Sequence, residues 1–561
     1  MANITGKKAL FFVTSPRTPI KMVEEIKLLT DNFSGKPWNA ATQEAYYTLL
    51  TKQEFFAGQL AGDLAFKARD RINRGPQTFG FVDLYPLVRL TDVGKEYIYG
   101  KRQEEVFLKQ MLKVQFPSPY HIDNNATYAV KPYLEMIRLV TELGGISKTE
   151  IGLFGIQLIH YQRFSDVKKK IEKFRNQRKS IREKGISYSS FLATTFETEL
   201  KQIFSEEIQA GEIAIRENEG VSLEQFLRKK RANHMDYADA AIRYLKSTKL
   251  LSYKPIKDKV EITTDKLHDI EYILQNVDRK PLVWSNEDDY KEYLFDTANL
   301  SLLVDNRNNL INKLGKYKVP ASRTMGKGIE ALKDLLDELQ KQKVGKIIDQ
   351  EVVDLEGYKR HDEIDELYKK IKSKEIVDLP LYLEWNTWRA FTMLDDGKIQ
   401  GNFVVNDEGM PLYVAPGNKP DIECKYSNFY LIVEVTLSSG QRQYEMEGEP
   451  VARHLGDAVK ANGQDTYCVF IASNVSPATA AHFFTLHKYD VAHYGGRAKI
   501  IPLELEDFQT LISNANDAKT KPTADDLKNF VQQATDSATT AKDEIEWIAE
   551  IKSSVKTAFT T

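Results

Sequence analysis

Two acidic side chains in the segment KPDIECKYSNFYLIVEVTLSSG, residues 419–440, have the spacing of a metal-binding hairpin. Asp421 follows a proline, and Glu434 lies thirteen residues later within a run of strand-forming residues. A turn near residues 427–428 would fold the first strand back beside the second, which brings both carboxylates to one end of a sheet. Because hard divalent cations take oxygen ligands, the pair indicates a magnesium site.

The lysine expected two residues after the glutamate of such a hairpin is missing, and Thr436 occupies its position. Mg2+ usually takes one or two carboxylates and completes its octahedron with water and phosphate oxygens, and the backbone carbonyl of Val435 is a further candidate ligand. The alternative is an edge hairpin with acids on its surface. Glu434 favours the metal site, because an acid among apolar strand residues is unfavourable unless it is paired or metal-bound.

The helix after the hairpin adds two candidate catalytic residues, Glu447 and His454. They are seven residues apart, about two helical turns, and therefore share a face. Glu384, on the helix that opens this part of the chain, is a further candidate. Phosphodiester hydrolysis needs a metal at the phosphate oxygens, a nucleophilic water, and a proton or metal for the leaving oxygen. His454, or a second metal held by Glu447, would replace the lysine, although a histidine on an amphipathic helix is more often structural.

The segment that carries these residues, 376–561, has the pattern of an α/β domain. From Val377 onward the predicted order is helix, strands, helix, strand, helix, strand. LYLEWNTWRAFTML is predicted as the opening helix, GNFVVND as a strand, TYCVFIA as an apolar strand and AKIIPLEL as the last strand. The polar, alanine-rich tail beyond Thr510 is predicted to be helical.

The N-terminal half, residues 1–275, contains two stretches with the element order of a winged helix, within about 1–130 and 131–275. In the first, FKARDRINRGPQTFGFVDLYPLVRLTDVGKEYI, a helix is predicted to break at RGP. Two short apolar runs follow, and Thr91 or Asp92 is predicted to cap the next helix. This order presents a recognition helix and a wing to duplex DNA.

The second stretch repeats the helix-then-wing pattern. A helix in PYLEMIRLVTELGG ends at two glycines, and Ser147 with Glu150 forms a predicted capping box for the next helix. Further on, DYADAAIRYLKSTKLLSYKPIKDKVEIT predicts a helix and a hairpin with its tip at residues 255–259. Two such patterns in tandem indicate a DNA-recognition region.

Basic clusters lie beside the second pattern. Residues 168–184 hold nine Lys and Arg against two Glu, and RKKR follows at 228–231. The formal net charge of the whole chain is −2, which does not indicate nucleic-acid binding, but net charge averages over domains of opposite sign. The alternative is that these runs are solvated helix faces.

The middle of the chain, residues 276–375, is densely charged and predicted to be helical, with an apolar stripe at Leu332, Leu335, Leu336 and Leu339. No chemistry is visible there, so it is predicted to be a helical linker between two working parts.

Bulk properties bound the class of protein. A chain of 561 residues is long enough for three or four domains, and a hydrophobic fraction of 42% fits a globular protein. Two cysteines, Cys424 and Cys468, fit a reducing compartment rather than a disulfide framework. Because neither a membrane span nor a signal-peptide pattern is found, we expect a soluble, cytoplasmic protein.

Several segments together resemble the AlwI family of type IIS restriction endonucleases, which includes large subunits of strand-specific nicking enzymes. PGNKPDIE, LIVEVTLSSG and QYEMEGEPVARH resemble the family's PD-(D/E)xK-type nuclease motif, with Thr436 in place of the lysine. VTSPRTPIKMVEEIKLL, FKARDRINRGPQTFGFVD, VFLKQMLKVQFPSPYH and EWNTWRAF also resemble family blocks, in order along the chain. The resemblance is weakest in the linker and the C-terminal tail.

The resemblance implies a multidomain α+β protein of a prokaryotic host, with a winged-helix-type recognition region, a helical linker and a Mg2+-dependent nuclease domain. Members read a short asymmetric site in double-stranded DNA, typically of five base pairs, and cut a few base pairs outside it. The family's active-site residues fall, position by position, on Glu384, Asp421, Glu434, Glu447 and His454, with the carbonyl of Val435 as a metal ligand.

Candidate DNA contacts lie in the N-terminal blocks. Arginine suits bidentate contact with guanine and lysine suits phosphate, which favours the following residues: Arg17, Lys21, Arg69, Arg71, Arg74, Lys109 and Lys113. Asp70, between two of the arginines, is predicted to orient them. Lys109 and Lys113 are predicted to contact phosphate.

One active site cuts one strand, so a double-strand break needs a transient homodimer or a small partner subunit, and without either the product is a nick. The alternative from a different class is a non-catalytic winged-helix DNA-binding regulator whose C-terminal domain is a nuclease-like scaffold.

Overall fold

The computed structural model describes residues 2–53, 55–56, 58–215, 220–394, 397–415, 419–463 and 465–560. The chain divides into two compact units, residues 1–341 and 342–561, which we call unit 1 and unit 2. The boundary lies within the segment 276–375 that the sequence predicts as a linker.

Unit 1 is mainly helical, and its helices are α1 Lys21–Phe33, α2 Ala40–Leu50, α3 Leu64–Ile72, α4 Asp92–Tyr99, α5 Gln103–Lys113, α6 Pro132–Glu142, α7 Lys148–Leu153, α8 Phe164–Glu183, α9 Tyr188–Ile203, α10 Ser205–Ala210, α11 Leu223–Lys246, α12 Leu267–Asn276, α13 Glu287–Phe295, α14 Arg307–Lys316, α15 Ala321–Thr324 and the first part of α16 Ile329–Glu356. Its short strands are β1 Ala2–Asn3, β2 Val82–Asp83, β3 Arg89–Leu90, β4 His121–Ile122, β5 Leu251–Lys254 and β6 Lys259–Ile262. They form three two-stranded pairs, β1–β4, β2–β3 and β5–β6.

The first predicted stretch has the expected order of elements, α3, the β2–β3 hairpin and α4. Thr91 caps α4 through its hydroxyl, which accepts the N–H of Gly94 at 2.9 Å. The predicted break at RGP is wrong in detail, because the chain continues from α3 into a π-helical turn, Asn73–Gln77. The wider turn accommodates Pro76, which has no N–H for an α-helical hydrogen bond.

The second predicted stretch also has the expected elements. Gly144 and Gly145 follow α6 with positive φ angles of 60° and 104°, as the predicted helix end requires. Ser147 and Glu150 form the predicted capping box of α7. Strands β5 and β6 pair antiparallel, with their tip where the sequence predicts it. These findings confirm the elements and leave the winged-helix assignment a proposal.

The first part of the predicted linker packs within unit 1. Arg279 forms an ion pair of 2.7 Å with the buried Glu135, and Leu294 of α13 lies in a buried cluster with Tyr120 and Tyr290. The predicted apolar stripe of α16 is buried at Leu332, Leu335 and Leu336 and half-buried at Leu339.

Unit 2 is a mixed α/β unit that contains the end of α16 and the predicted order of elements. Its helices are α17 His361–Lys372, α18 Leu379–Leu394, α19 Gly440–Asn462, α20 Pro477–Lys488, α21 Leu505–Asp517, α22 Ala524–Thr540 and α23 Glu544–Thr557. Its strands are β7 Lys398–Gly401, β8 Phe403–Val405, β9 Pro411–Val414, β10 Ile422–Lys425, β11 Tyr430–Thr436, β12 Thr466–Ala472 and β13 Ile500–Glu504. The predicted strand GNFVVND is divided between β7 and β8, because Asn402 lies between them and donates its N–H to the carbonyl of Asp421.

A five-stranded sheet in the order β13-β12-β11-β10-β7 forms the centre of unit 2. Strands β11, β12 and β13 run parallel, whereas β10 and β7 are antiparallel to their neighbours. Every residue of β12 is buried, which fits a strand covered on both faces. Because β10 and β11 are antiparallel, the carboxyl-terminal end of β11 lies beside the amino-terminal end of β10.

Both cysteines are buried free thiols, as expected. Over the described ranges, no helix combines the length and the apolar character needed to cross a membrane.

Candidate active site

Asp421 and Glu434 lie together at one end of the neighbouring strands β10 and β11, within the unit 2 sheet. In the antiparallel pair of β10 and β11, Ile422 is opposite Val433, and one further step in the register places Asp421 opposite Glu434. The N–H of Val435 donates a hydrogen bond of 2.8 Å to Oδ2 of Asp421. The hairpin therefore brings together the two carboxylates that the sequence suggests for one end of the sheet.

The environment of these two carboxylates favours their neutral forms. Burial, and then the charge of Glu434, raise the pKa of Asp421 well above its usual value, against the opposing hydrogen bond from Val435. Burial, and then the charge of Glu447, likewise raise the pKa of Glu434. The side chain of Glu434 is 10% exposed, so water compensates little of its charge. A nearby positive charge would therefore be needed to stabilise both groups in their ionised forms.

His454 of α19 contacts Glu434 directly, with 2.6 Å between Nδ1 and Oε1. Burial and the charge of Arg453 lower the pKa of this histidine, which leaves its ring neutral near pH 7. A neutral imidazole beside a carboxylate can hold a proton at one nitrogen and accept one at the other.

Glu447 lies on the same face of α19 as His454. It contacts Thr436, which occupies the position where the sequence pattern leads us to expect a lysine. The hydroxyl of Thr436 donates a hydrogen bond of 2.6 Å to Oε1 of Glu447, and the same hydroxyl oxygen accepts the N–H of Ser438 at 3.0 Å. Burial raises the pKa of Glu447, against the hydrogen bonds from Thr436 and Ser438. Thr436 thus connects the end of β11 to α19.

Gln443 is a supporting residue that the sequence reasoning missed. Its side-chain amide is fully buried and donates hydrogen bonds of 2.9 Å to the carbonyls of Ser438 and Asn474, and its Oε1 accepts the N–H of Ser476 at 2.8 Å. It therefore fixes the loops after β11 and β12 to the first turn of α19. Its position four residues before Glu447, on the same helical face, was the available signal.

Glu384 is buried in α18, a helix that packs against β7, β9 and β11. It is not among the principal charged groups that shift the pKa values of Asp421 and Glu434. Asp421, Glu434, Glu447 and His454 affect one another through hydrogen bonds and charge, and Glu384 lies on the neighbouring helix α18.

The donor set around Asp421 and Glu434 fits a hard cation with few protein ligands. Within the part of the chain that the structure describes, no group of three or more His, Cys, Asp and Glu side chains is placed to hold a metal ion jointly. Two carboxylates that repel one another, with the carbonyl of Val435 beside them, match the small share of protein ligands that Mg2+ takes.

The arginines predicted to contact DNA differ in how they are held. Arg71 pairs with the fully buried Glu25, with Nε 3.0 Å from Oε2, which indicates a role inside the fold. Arg69 is exposed and donates to Oε1 of Gln43 at 2.7 Å.

Other predicted contacts range from exposed to buried. Arg74 is exposed and pairs with Asp70 at 2.7 Å. The predicted role of Asp70 is therefore wrong in detail, because the arginines on either side of it, Arg69 and Arg71, contact Gln43 and Glu25 instead. Arg17 and Lys21 are exposed. Lys109 pairs with Asp305 at 2.8 Å.

Lys113 is fully buried, and its ammonium donates to the carbonyls of Tyr293 and Asp296. Burial lowers its pKa to about 8. This placement favours a structural role for Lys113 over contact with phosphate.

Comparison with known proteins assigns the chain to the restriction endonucleases. The model of the AlwI restriction endonuclease family matches residues 78–511, most of the chain. The chain therefore belongs to the AlwI restriction endonuclease family, as its resemblance predicts, and its members are nucleases. No curated protein matches the chain significantly.

Two solved structures are similar to parts of the chain. One is the small subunit of the heterodimeric restriction endonuclease R.BspD6I, at 24% identity and a TM-score of 0.31, covering 34% of this chain and 98% of that one. The other is the BpuJ1 endonuclease binding domain in complex with pyrene- and phenanthrene-modified DNA, at 15% identity and a TM-score of 0.33, covering 52% of this chain and 95% of that one. Both TM-scores are too low to define a shared fold.

Proposed function

We propose that the protein is a type IIS restriction endonuclease, a Mg2+-dependent site-specific deoxyribonuclease. It binds a short asymmetric site in double-stranded DNA and hydrolyses phosphodiester bonds a few base pairs outside that site. The observation that carries the proposal is the pair of half-buried Asp421 and buried Glu434, which lie opposite one another with His454 at 2.6 Å from Glu434. Family membership supports the same reaction class.

The proposed division of labour follows the chain. Residues 1–275 form the recognition region with two winged-helix-like subdomains, 276–375 act as the linker, and 376–561 form the PD-(D/E)xK-like nuclease domain. The element orders within residues 64–99 and 132–262 support the two subdomains.

Asp421, Glu434 and the carbonyl of Val435 would hold Mg2+. When bound, Mg2+ neutralises the phosphate oxygens and makes a water more nucleophilic. Each carboxylate raises the energy of ionising the other, so together they form a site that is stabilised by a cation. The hydrogen bond from Val435 keeps Asp421 turned toward the end of β11.

His454 takes the place of the missing lysine in this proposal. Its ring is neutral near pH 7 and lies against Glu434, where it can accept a proton from the attacking water or orient the carboxylate. Glu447 accepts a hydrogen bond from the hydroxyl of Thr436 and so holds the end of β11, and Glu384 is a further proposed member of the site.

On the recognition side, exposed Arg17, Lys21, Arg69 and Arg74 are the proposed DNA contacts that the structure leaves at the surface. Contact by Arg71, Lys109 or Lys113 would first require release of the partners that hold them.

Cleavage of the second strand is proposed to need a transient homodimer or a small partner subunit, since one active site cuts one strand. If neither assembles, the protein acts as a strand-specific nicking endonuclease.

Plasmid cleavage and DNA binding, measured together, test the proposal. Wild-type protein with Mg2+ should convert supercoiled plasmid to relaxed or linear product, and Glu434→Ala should abolish cleavage while gel shift still detects site-specific binding. Retained cleavage by Glu434→Ala would show that the assigned site is wrong. Site-specific binding without any cleavage by the wild-type protein would favour the non-catalytic regulator.

A further inference from the structure

The basic run in α8 is only partly a set of structural ion pairs. Lys168 pairs with Glu142 at 3.0 Å, Lys170 with Glu199 at 2.8 Å and Arg175 with Glu150 at 2.7 Å, all acids of neighbouring elements. These three pairs hold α8 against neighbouring elements of unit 1. The second half faces a different environment.

An open groove of about 710 Å3 lies between the second half of α8 and the tip of the β5–β6 hairpin. Five cationic side chains line it: Arg175, Arg178, Lys179, Lys257 and Lys259. We call it the α8–hairpin groove. It contains none of the DNA contacts predicted from the sequence.

Acidic residues of the groove offset only part of this charge. Glu150 accepts the bidentate pair from Arg175 at 2.7 and 2.9 Å. Asp258 accepts the phenol of Tyr253 at 2.7 Å, and Glu172 is exposed on α8. The groove therefore keeps a positive balance.

Three of these cationic side chains are accessible to an external anion. Arg178, Lys179 and Lys257 are exposed, and none has an ion-pair partner in the described portions of the chain. The guanidinium of Arg178 lies 4.5 Å above the ring of Tyr188, which orients it without neutralising it.

The two walls of the groove are fixed relative to one another. Ile146 and Val260 exchange main-chain hydrogen bonds of 3.0 and 2.8 Å, which fasten the hairpin to the turn before α7. At Gly145, a Cβ would lie 2.6 Å from Cε of Lys259 and 2.8 Å from the carbonyl of Val260, so the close approach requires glycine. Arg175 donates to the carbonyls of Leu143 and Gly145 and ties α8 to the same turn.

We propose that the α8–hairpin groove binds the sugar–phosphate backbone of duplex DNA. The inference rests on the proposed DNA-binding function and adds a binding site to it. The cations are spread along a helix and a hairpin tip across an open groove, an arrangement that suits a polyanion rather than a single small anion. Contacts of this kind position a protein on DNA and carry no base information.

The salt dependence of DNA binding tests the groove. In the full chain, Arg178→Ala, Lys179→Ala and Lys257→Ala are combined, and the dissociation constant is measured between about 50 and 200 mM salt. Each lost phosphate contact lowers the slope of log affinity against log salt by about 0.9, so we expect a decrease of about two to three. The affinity should fall equally for a fragment that the wild-type protein cleaves and for one that it does not.

Two control variants separate charge position from total charge. Lys280→Ala, Lys316→Ala and Lys327→Ala remove the same charge from exposed positions outside the groove and should leave the slope nearly unchanged. Arg178→Lys, Lys179→Arg and Lys257→Arg keep the groove charge and should retain binding. Melting temperatures should stay close to that of the wild type, because the altered side chains are exposed and form no ion pairs with any described residue.

The outcomes are distinguishable. If the wild-type protein binds and cleaves DNA but the groove variant keeps its slope and affinity, the groove inference is wrong and the proposed function stands. An equal loss in the groove and control variants also overturns the groove. If the wild-type protein neither binds nor cleaves DNA, both proposals fail.

Discussion

Burial raises the pKa of both Asp421 and Glu434, and a neighbouring carboxylate adds to each rise, Glu434 at Asp421 and Glu447 at Glu434. His454, which lies against Glu434, is itself kept neutral near pH 7 and adds no compensating charge there. In the proposed mechanism a divalent cation would supply that charge, so binding of the cation and ionisation of the acids would be coupled. The raised pKa values of Asp421 and Glu434 would therefore make cleavage depend on pH.

Cleavage should fall as the pH is lowered, beginning above the ordinary carboxyl range of about 4. The direction follows from the raised pKa values, because the protonated, cation-excluding form persists to higher pH than in a free acid. Since protons and Mg2+ compete for the same oxygens, more Mg2+ should shift this limb of the pH–rate profile to lower pH. A limb that does not respond to Mg2+ would contradict the coupling.

His454→Ala should slow single-turnover cleavage by about 10²- to 10⁴-fold, the usual contribution of a positioned acid–base group. DNA binding should be unchanged, since the side chain lies in unit 2 against Glu434. His493→Ala, at an exposed position, is the matched control. Near-normal cleavage by His454→Ala would leave the replacement of the lysine unexplained.

Helix α19 and the β10–β11 hairpin together position the proposed catalytic side chains. Glu447 accepts a hydrogen bond from the hydroxyl of Thr436, and His454 contacts Glu434. Gln443 ties the loops after β11 and β12 to the helix. The site therefore depends on the register of α19 against the sheet.

Gln443→Leu should destabilise unit 2 by about 2 kcal/mol or more, because it leaves the carbonyls of Ser438 and Asn474 and the N–H of Ser476 without their partner. It should also slow cleavage by about tenfold or more, because Ser438 positions Thr436. Gln441→Leu changes an exposed residue of the same helix and serves as the control in thermal unfolding and cleavage assays. Equal behaviour of the two variants would contradict a positioning role for Gln443.

Local sequence signals predicted many of the helices and strands. Alternating side chains and the turn near 427–428 predicted the hairpin, and the Ser147–Glu150 capping box predicted the start of α7. The π-helical turn at Asn73–Gln77 was missed because proline normally ends a helix. The role of Gln443 was missed because its partner Asn474 is 31 residues away in the sequence.

Long-range ion pairs join distant parts of the chain within unit 1. Lys333 of α16 is 7% exposed and lies 2.6 Å from Glu105 and 2.7 Å from Asp305, and Glu105 is 228 residues away in the sequence. These contacts, with the buried apolar stripe, explain why the start of α16 belongs to unit 1, although the sequence pattern there predicts a linker helix. The net charge of −2 likewise conceals the basic α8–hairpin groove.

Lys333→Met should lower the stability of unit 1 by about 2 kcal/mol, since it removes the charged hydrogen-bond donor nearest to Glu105 and Asp305. Asp305 keeps Lys109 at 2.8 Å, and Glu105 keeps Arg102 at 3.9 Å. Denaturant unfolding, followed by a probe in unit 1, measures the loss. Lys327→Met, at an exposed position, is the control and should change little. A similar stability for both variants would mean that the ion pairs of Lys333 do not hold α16.

The pKa values of the carboxyl pair also predict the stability of the metal-free protein. A native pKa above the unfolded value means that the native state holds more protons, so stability is full at low pH and is lost as the pH rises through the native pKa. Glu434→Gln removes one of the repelling charges. At pH 8 without metal it should therefore melt at a higher temperature than the wild type.

Calorimetric titration of Mg2+ into the full-length protein at pH 8, compared between the wild type and Glu434→Gln, tests the central claim most directly. We expect saturable binding with release of protons in the wild type, and loss of that binding in the variant. Equal binding by the two proteins would contradict a cation site at Asp421 and Glu434.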